Sequence, residues 1–148
     1  MGRLLLAVPL VLLAGCGGGE GGGPTKEQFV SDANRICREG EAKIAETAGE
    51  GAATSRGVIA DRLEATAEEY APYLERLREL DAPAELESGW SRFLDGVGEA
   101  FDLIPQLADA TRERDRNTLA ELTAKFSQIA EDTRPFAQEN GLSDCLPS

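Results

Sequence analysis

The chain has 148 residues, with three cysteines and no histidine. That inventory bounds its chemistry. Without imidazole it lacks the commonest general base near neutral pH and the commonest transition-metal ligand. The Glu-x-x-His pattern of di-iron helical bundles is excluded with it. Neither a Gly-x-Ser-x-Gly elbow nor a Walker sequence occurs. The GGGEGGG run at 17–23 lacks the lysine and the strand-to-helix setting that let glycines cradle phosphate. Thiol, carboxylate, guanidinium and aromatic groups remain.

The thiols separate by context. Cys16 follows a short oily run in which Arg3 is the only charge before it. A positive start and a run from Leu4 to Leu13 are the n- and h-regions of an export signal. The run falls short of the roughly 20 apolar residues that span a bilayer. Leu13-Ala14-Gly15-Cys16 matches the lipobox of bacterial lipoproteins: a leucine, two small residues, then cysteine. That resemblance implies cleavage before Cys16 and a diacylglycerol on its thiol. Residues 1–15 are thus the expected signal peptide, and 16–24 the expected lipidated tether. Seven residues of glycine-rich chain span on the order of 15 Å, which would hold the domain at 25–148 close to a membrane surface.

Cys37 and Cys145 are then the only thiols left. An exported chain meets oxidising conditions, so an even remainder points to one disulfide. Closing so long a loop is worth about 4–5 kcal/mol at most in the chain-entropy model. A reactive pair is the alternative, but neither cysteine lies in a Cys-x-x-Cys redox motif.

The carboxylates Glu64, Glu68, Glu69 and Glu75 crowd one stretch. Calcium needs roughly six to eight converging oxygens from a shaped loop, and no Asp-x-Asp-x-Asp-Gly loop is present. They read as a solvated face. Arg112, Arg114 and Arg116 alternate with Glu113 and Asp115. They could grip a phosphate or sugar acid, yet the alternation favours ordinary solvated turn charge. No metal or cofactor is expected. The most unusual stretch is ESGWSRFLDGVGEAFDLIP, with Gly89, Gly96 and Gly98 among aromatic residues. Interior glycines cost about 1 kcal/mol each against alanine in a helix. They admit a close helix neighbour or leave room for a ligand, so Trp90, Phe93, Gly96 and Phe101 mark a candidate pocket. Aromatic residues at helical spacing are also what a packed core requires.

Four helices must position these groups. Thr25 and Gln28 fit a capping box, followed by Phe29, Ala33, Ile36 and Ile44, with an end near Gly49 and Gly51. Ser55 starts a second helix with the stripe Ile59, Leu63, Ala67, Tyr70, Leu74 and Leu77. Pro83 suits the first turn of a third, carrying Leu86, Trp90, Phe93, Val97, Phe101, Ile104 and Ala108. A fourth runs from Asp115 or Asn117 to Asn140 through Leu119, Leu122, Phe126, Ile129, Thr133 and Phe136. Gly141 closes it. Period-two runs are absent, so no strand is expected. Helices of about 35–42 Å with short links predict an all-α, up-down-up-down four-helix bundle. Pro72, Pro105 and Pro135 fall inside predicted helices and should bend them. In this topology the end of the fourth helix returns to Cys37, which agrees with the disulfide.

The segments FVSDANRIC, LRELDAPAEL and GLSDC resemble the small helical lipoproteins and secreted proteins found widely in actinobacteria. Those proteins show an early Ala-x-x-Ile-Cys segment, a Leu-Pro-Pro-Ala type turn at mid-chain and a Gly-Leu-x-x-Cys ending. Here the mid-chain turn is Ala82-Pro83-Ala84, with one proline in place of two. The resemblance covers most of residues 25–146. It implies the helical fold and the Cys37–Cys145 pair, and no catalytic residues.

The formal net charge is −12, and removal of the leader takes one more positive charge with it. That argues against nucleic acid and against adhesion to anionic lipid by charge. The sequence thus predicts a non-catalytic, extracytoplasmic domain held to the cell membrane by lipid on Cys16. Its expected role is an interaction module for an envelope protein. A small-ligand or lipid binder with a pocket beside the third helix is the alternative.

Overall fold

The computed structural model describes residues 23–48 and 55–146. The expected signal peptide, Cys16 and the tether up to residue 22 lie outside the described residues. Four helices fill the described chain: α1 (Lys26–Ala48), α2 (Arg56–Arg78), α3 (Glu87–Glu113) and α4 (Arg116–Asn140). A 3-10 turn, Ser143–Cys145, follows as a C-terminal strap. The molecule is an all-α four-helix bundle.

Local chemistry sets the helix ends. The capping box forms as expected. The Gln28 backbone N–H donates to Thr25 Oγ1 at 3.3 Å, and the Thr25 N–H donates to Gln28 Oε1 at 3.0 Å. Ser55 caps α2 through the Val58 N–H, and Asp115 caps α4 through the Asn117 and Thr118 N–H groups. Gly141 ends α4 in the left-handed region at φ 76°, which glycine adopts without steric cost. Arg114 takes the same conformation at φ 63° to end α3. Pro72, Pro105 and Pro135 lie inside α2, α3 and α4, all at exposed positions. Each helix continues past its proline, with the ring turned to water.

Three expectations need correction. Regular α3 begins at Glu87, four residues after Pro83. The Leu86 and Glu87 N–H groups both donate to the Pro83 carbonyl, at 2.8 and 3.0 Å, which tightens residues 83–86 into a turn. In α2, Ile59 is 39% exposed while its neighbour Ala60 is fully buried. Small residues dominate that end of the α2/α3 pair, where Ala108 and Ala110 are also buried. A large side chain at position 60 would hold the helices apart. In α4, Phe126 is 37% exposed, beside the side of the bundle where α1 and α4 make no extended contact.

Consecutive helices pack side by side, α1 on α2, α2 on α3 and α3 on α4. The fourth side, between α1 and α4, is spanned by the strap, which lies mainly on α1. Ion pairs stitch each seam: Glu39 to Arg76 at 2.7 Å, Arg112 to Glu64 at 2.6 Å, and Glu99 to Lys125 at 2.9 Å. All involve substantially exposed side chains, so each adds at most about 1 kcal/mol. The main core joins Phe29, Ala33 and Ile36 of α1 to Tyr70, Leu74 and Leu77 of α2 and to Trp90, Phe93 and Leu94 of α3. A second cluster, Leu103, Leu122 and Ile129, ties α3 to α4.

Candidate functional site

The aromatic stripe of α3 organises the interior. Trp90 meets Phe29 of α1 edge-on, with centroids 5.0 Å apart, and stacks on Phe93 at 5.4 Å. Phe101 lies flat on Tyr70 of α2, at 4.3 Å and 2°. Phe93 also reaches Phe136 of α4 at 5.9 Å. A stripe in contact with all three other helices makes α3 the central element.

The interior glycines flank this stripe. A Cβ at Gly96 would sit 2.5 Å from Thr133 Cγ2, and one at Gly89 would sit 2.3 Å from the Phe136 ring. Both positions admit α4. A Cβ at Gly98 would lie 2.8 Å from Arg78 Nη2 and 4.0 Å from Leu74, on the α2 side. Gly40 gives Tyr70 the same clearance, at 2.8 Å. Close approach of neighbouring helices therefore accounts for Gly89 and Gly96.

An apolar cavity of about 190 Å³ opens where α1 and α4 part. Phe93, Val97 and Phe101 form its α3 side, Phe126 and Ile129 its α4 side, and Ile44 its α1 side. Tyr70 and the strap residues Cys145 and Leu146 complete it. Of the four candidate pocket residues, Phe93 and Phe101 line the cavity. Trp90 does not; it is buried behind Phe93, beside a shallow depression at the α2–α3 turn. Gly96 faces Thr133 and opens onto a separate surface hollow between α3 and α4.

Cys37 and Cys145 are bonded, with Cα atoms 5.0 Å apart. Cys37 is buried in the main core. Asn34, one turn before Cys37, clamps the strap in a way the sequence did not announce. Its side-chain amide donates to the Gly141 carbonyl at 2.8 Å, and its Oδ1 accepts from the Asp144 N–H at 3.1 Å. Arg38 pairs with Asp144, and Lys26 Nζ donates to Asn140 Oδ1 at 2.9 Å. Leu142 is fully buried beside these contacts. The strap is thus a fixed wall of the cavity.

The charged clusters resolve only in part into pairs, with Glu68, Arg114 and Arg116 in no ion pair among the described residues. Arg112 grips Glu64 with both terminal nitrogens, at 2.6 Å each, and donates to Asp61 at 2.9 Å. This grip holds the Glu64 carboxyl below the usual carboxylate range. Glu75 pairs with Arg78 at 2.5 Å and Glu69 lies 4.0 Å from Lys43. Among the described residues no group of His, Cys, Asp and Glu converges as a metal site would require, and no helix is long and apolar enough to cross a membrane. No protein-family model matches the chain, and no curated protein or solved structure is similar to it.

Proposed function

We propose that this protein is a lipid-anchored, extracytoplasmic binding module that works without catalysis, and that the cavity between α1 and α4 is its working site. The observation that carries the reading is the open, apolar cavity itself. A cleft of about 190 Å³ is floored by Phe93 and Phe101 and lined mainly by apolar side chains. Concave, mostly apolar sites with a few polar groups at their edge are the usual form of a small-ligand site. The Leu13-Ala14-Gly15-Cys16 motif and the likeness to small helical lipoproteins of actinobacteria support the anchor and the location. A chain without histidine whose carboxylates are paired or solvated supports binding over turnover.

Native mass spectrometry on the protein from an oxidising compartment tests this. A mass present in the native spectrum and lost on denaturation supports the reading and names the guest. A bare polypeptide, together with no uptake of alkyl compounds by the folded protein, refutes it.

The second reading is an interaction module for an envelope protein. Val58 and Ile59, 41% and 39% exposed at the start of α2, favour it. Crosslinking at the membrane that captures a partner through α2, and fails in Ile59→Glu, would support that role.

A further inference from the structure

The cavity is not purely apolar. Tyr70, only 8% exposed, forms part of its lining. Its hydroxyl has no hydrogen-bond partner among the described residues. Trp90 Nε1 is also unpaired but sealed from solvent; the Tyr70 hydroxyl is not sealed in that way. A mostly buried hydroxyl is expensive unless something, water included, accepts its hydrogen. On the α4 rim stands Arg134, an exposed guanidinium with no ion pair among the described residues. Across the cavity the α1 rim carries Glu41. Asp144, the third charged lining residue, is already neutralised by Arg38.

Resting on the binding-module reading, we propose that the cavity takes one alkyl chain of a carboxylate-headed amphiphile, a free fatty acid, with the head against Arg134. Size selects the single chain. Sites for drug-sized ligands measure about 300–1,000 Å³, well above this cavity, so two chains do not fit. Charge selects the head and its direction: the free guanidinium attracts a carboxylate on the α4 side, and Glu41 repels it from the α1 side. Burial and Glu41 together keep Tyr70 protonated, pushed up to about 12, so it adds no negative charge to the cavity lining.

The test is isothermal titration calorimetry on the full chain carrying Cys16→Ser, which brings no acyl chains of its own. Octanoate, decanoate and dodecanoate are compared with the matching alcohols and with dodecyltrimethylammonium, all below their micelle concentrations. Physiological ionic strength screens the remaining acidic surface beyond about 8 Å. Affinity should rise roughly fourfold per methylene and level off once the chain outgrows the cavity. The carboxylate should bind about two- to fivefold tighter than the alcohol, the range of an exposed ion pair. Arg134→Gln should remove that advantage and leave the chain-length trend. Ala130→Trp, which fills the cavity from α4, should abolish both. If that variant fails to fold by circular dichroism, Arg134→Gln still decides. Equal binding of acid and alcohol, no effect of Arg134→Gln, or tighter binding of the cation overturns the fatty-acid assignment while leaving an apolar binding site. No heat from any alkyl chain with folded protein at two well-separated temperatures, which the heat-capacity change of apolar burial would expose even where binding is athermal at one of them, overturns the assignment and the binding-module reading together.

Discussion

Gly96→Ala gives the sharpest test of how the bundle closes. The substitution brings two opposed effects. Alanine in place of glycine favours the helix by about 1 kcal/mol. The added methyl, however, would stand 2.5 Å from Thr133 Cγ2 and 3.6 Å from Ile129 Cγ2. The first distance is inside contact range, so α4 must move or Thr133 must leave its rotamer. Thr133 is not free to turn, because its hydroxyl donates to the Ile129 carbonyl at 2.8 Å. Overpacking of this kind costs about 1–3 kcal/mol. The net expectation is a loss of about 1 kcal/mol in urea unfolding with the disulfide intact. Thr133→Ser removes the clashing methyl and keeps the hydroxyl, so it should rescue Gly96→Ala. A double-mutant cycle should show about 1–2 kcal/mol of coupling. Gly57→Ala is the control: nothing lies within 4 Å of its Cβ, and it should be neutral or stabilising. A stabilised Gly96→Ala, or additive effects in the cycle, would refute the reading of Gly96 as the clearance for α4.

Asn34→Ala should cost about 1–3 kcal/mol, because it removes two contacts to the strap and leaves the Asp144 N–H unpaired; amide exchange at 142–145 should quicken more than in α2. Arg114→Gly should stabilise by about 0.5–1 kcal/mol, since φ 63° suits glycine, and thermal unfolding reads it. Arg112→Met should flatten the acid limb of stability. Glu64 is held below its ordinary value in the fold, so its contribution is present above the unfolded carboxylate pKa and fades as pH falls through the folded one; urea midpoints between pH 3 and 6 (about one unit apart) would show it. Tyr70→Phe should remove a loss of stability between pH 10 and 12. In that window the unfolded tyrosine ionises while the folded one, raised to about 12, stays neutral.

Features that depend on a few neighbouring residues were legible. Thr25 with Gln28, Ser55, Asp115 and Gly141 each act within one turn, so their types and spacing sufficed. The Cys37–Cys145 pair followed from parity and topology. Asn34 was hidden because its partners lie at 141 and 144, and a surface asparagine inside a helix carries no local sign of them. Gly96 was ambiguous for a related reason. The sequence placed a gap beside the aromatic stripe, but only the position of Thr133 shows that α4 fills it. The cavity emerged instead over Phe93 and Phe101, where α1 and α4 separate. Ile59 and Phe126 misled the periodic reading, because a stripe assumes full coverage along the whole helix, whereas Ile59 sits in the first turn of α2 and Phe126 lies where α4 lacks α1 as a neighbour.

That missing neighbour connects stability to the proposed site. In a fully closed bundle α1 and α4 would bury Ile44, Val97 and Phe126 between them. Here the strap occupies part of that seam, fixed by Asn34, by Arg38 and by the disulfide. With the cysteines 108 positions apart, the chain-entropy model puts the bond at about 5 kcal/mol as an upper figure. The bond also sets one wall of the cavity through Cys145 and Leu146. Cys37→Ser with Cys145→Ser should therefore do two things at once. It should lower the urea midpoint, by an amount equal to about 2–4 kcal/mol, and weaken uptake of alkyl chains in the protein that remains folded. Loss of stability with unchanged uptake would mean that Asn34 and Leu142 hold the wall without help from the bond. Unchanged stability would mean that the bond restricts the unfolded chain far less than the chain-entropy model assumes.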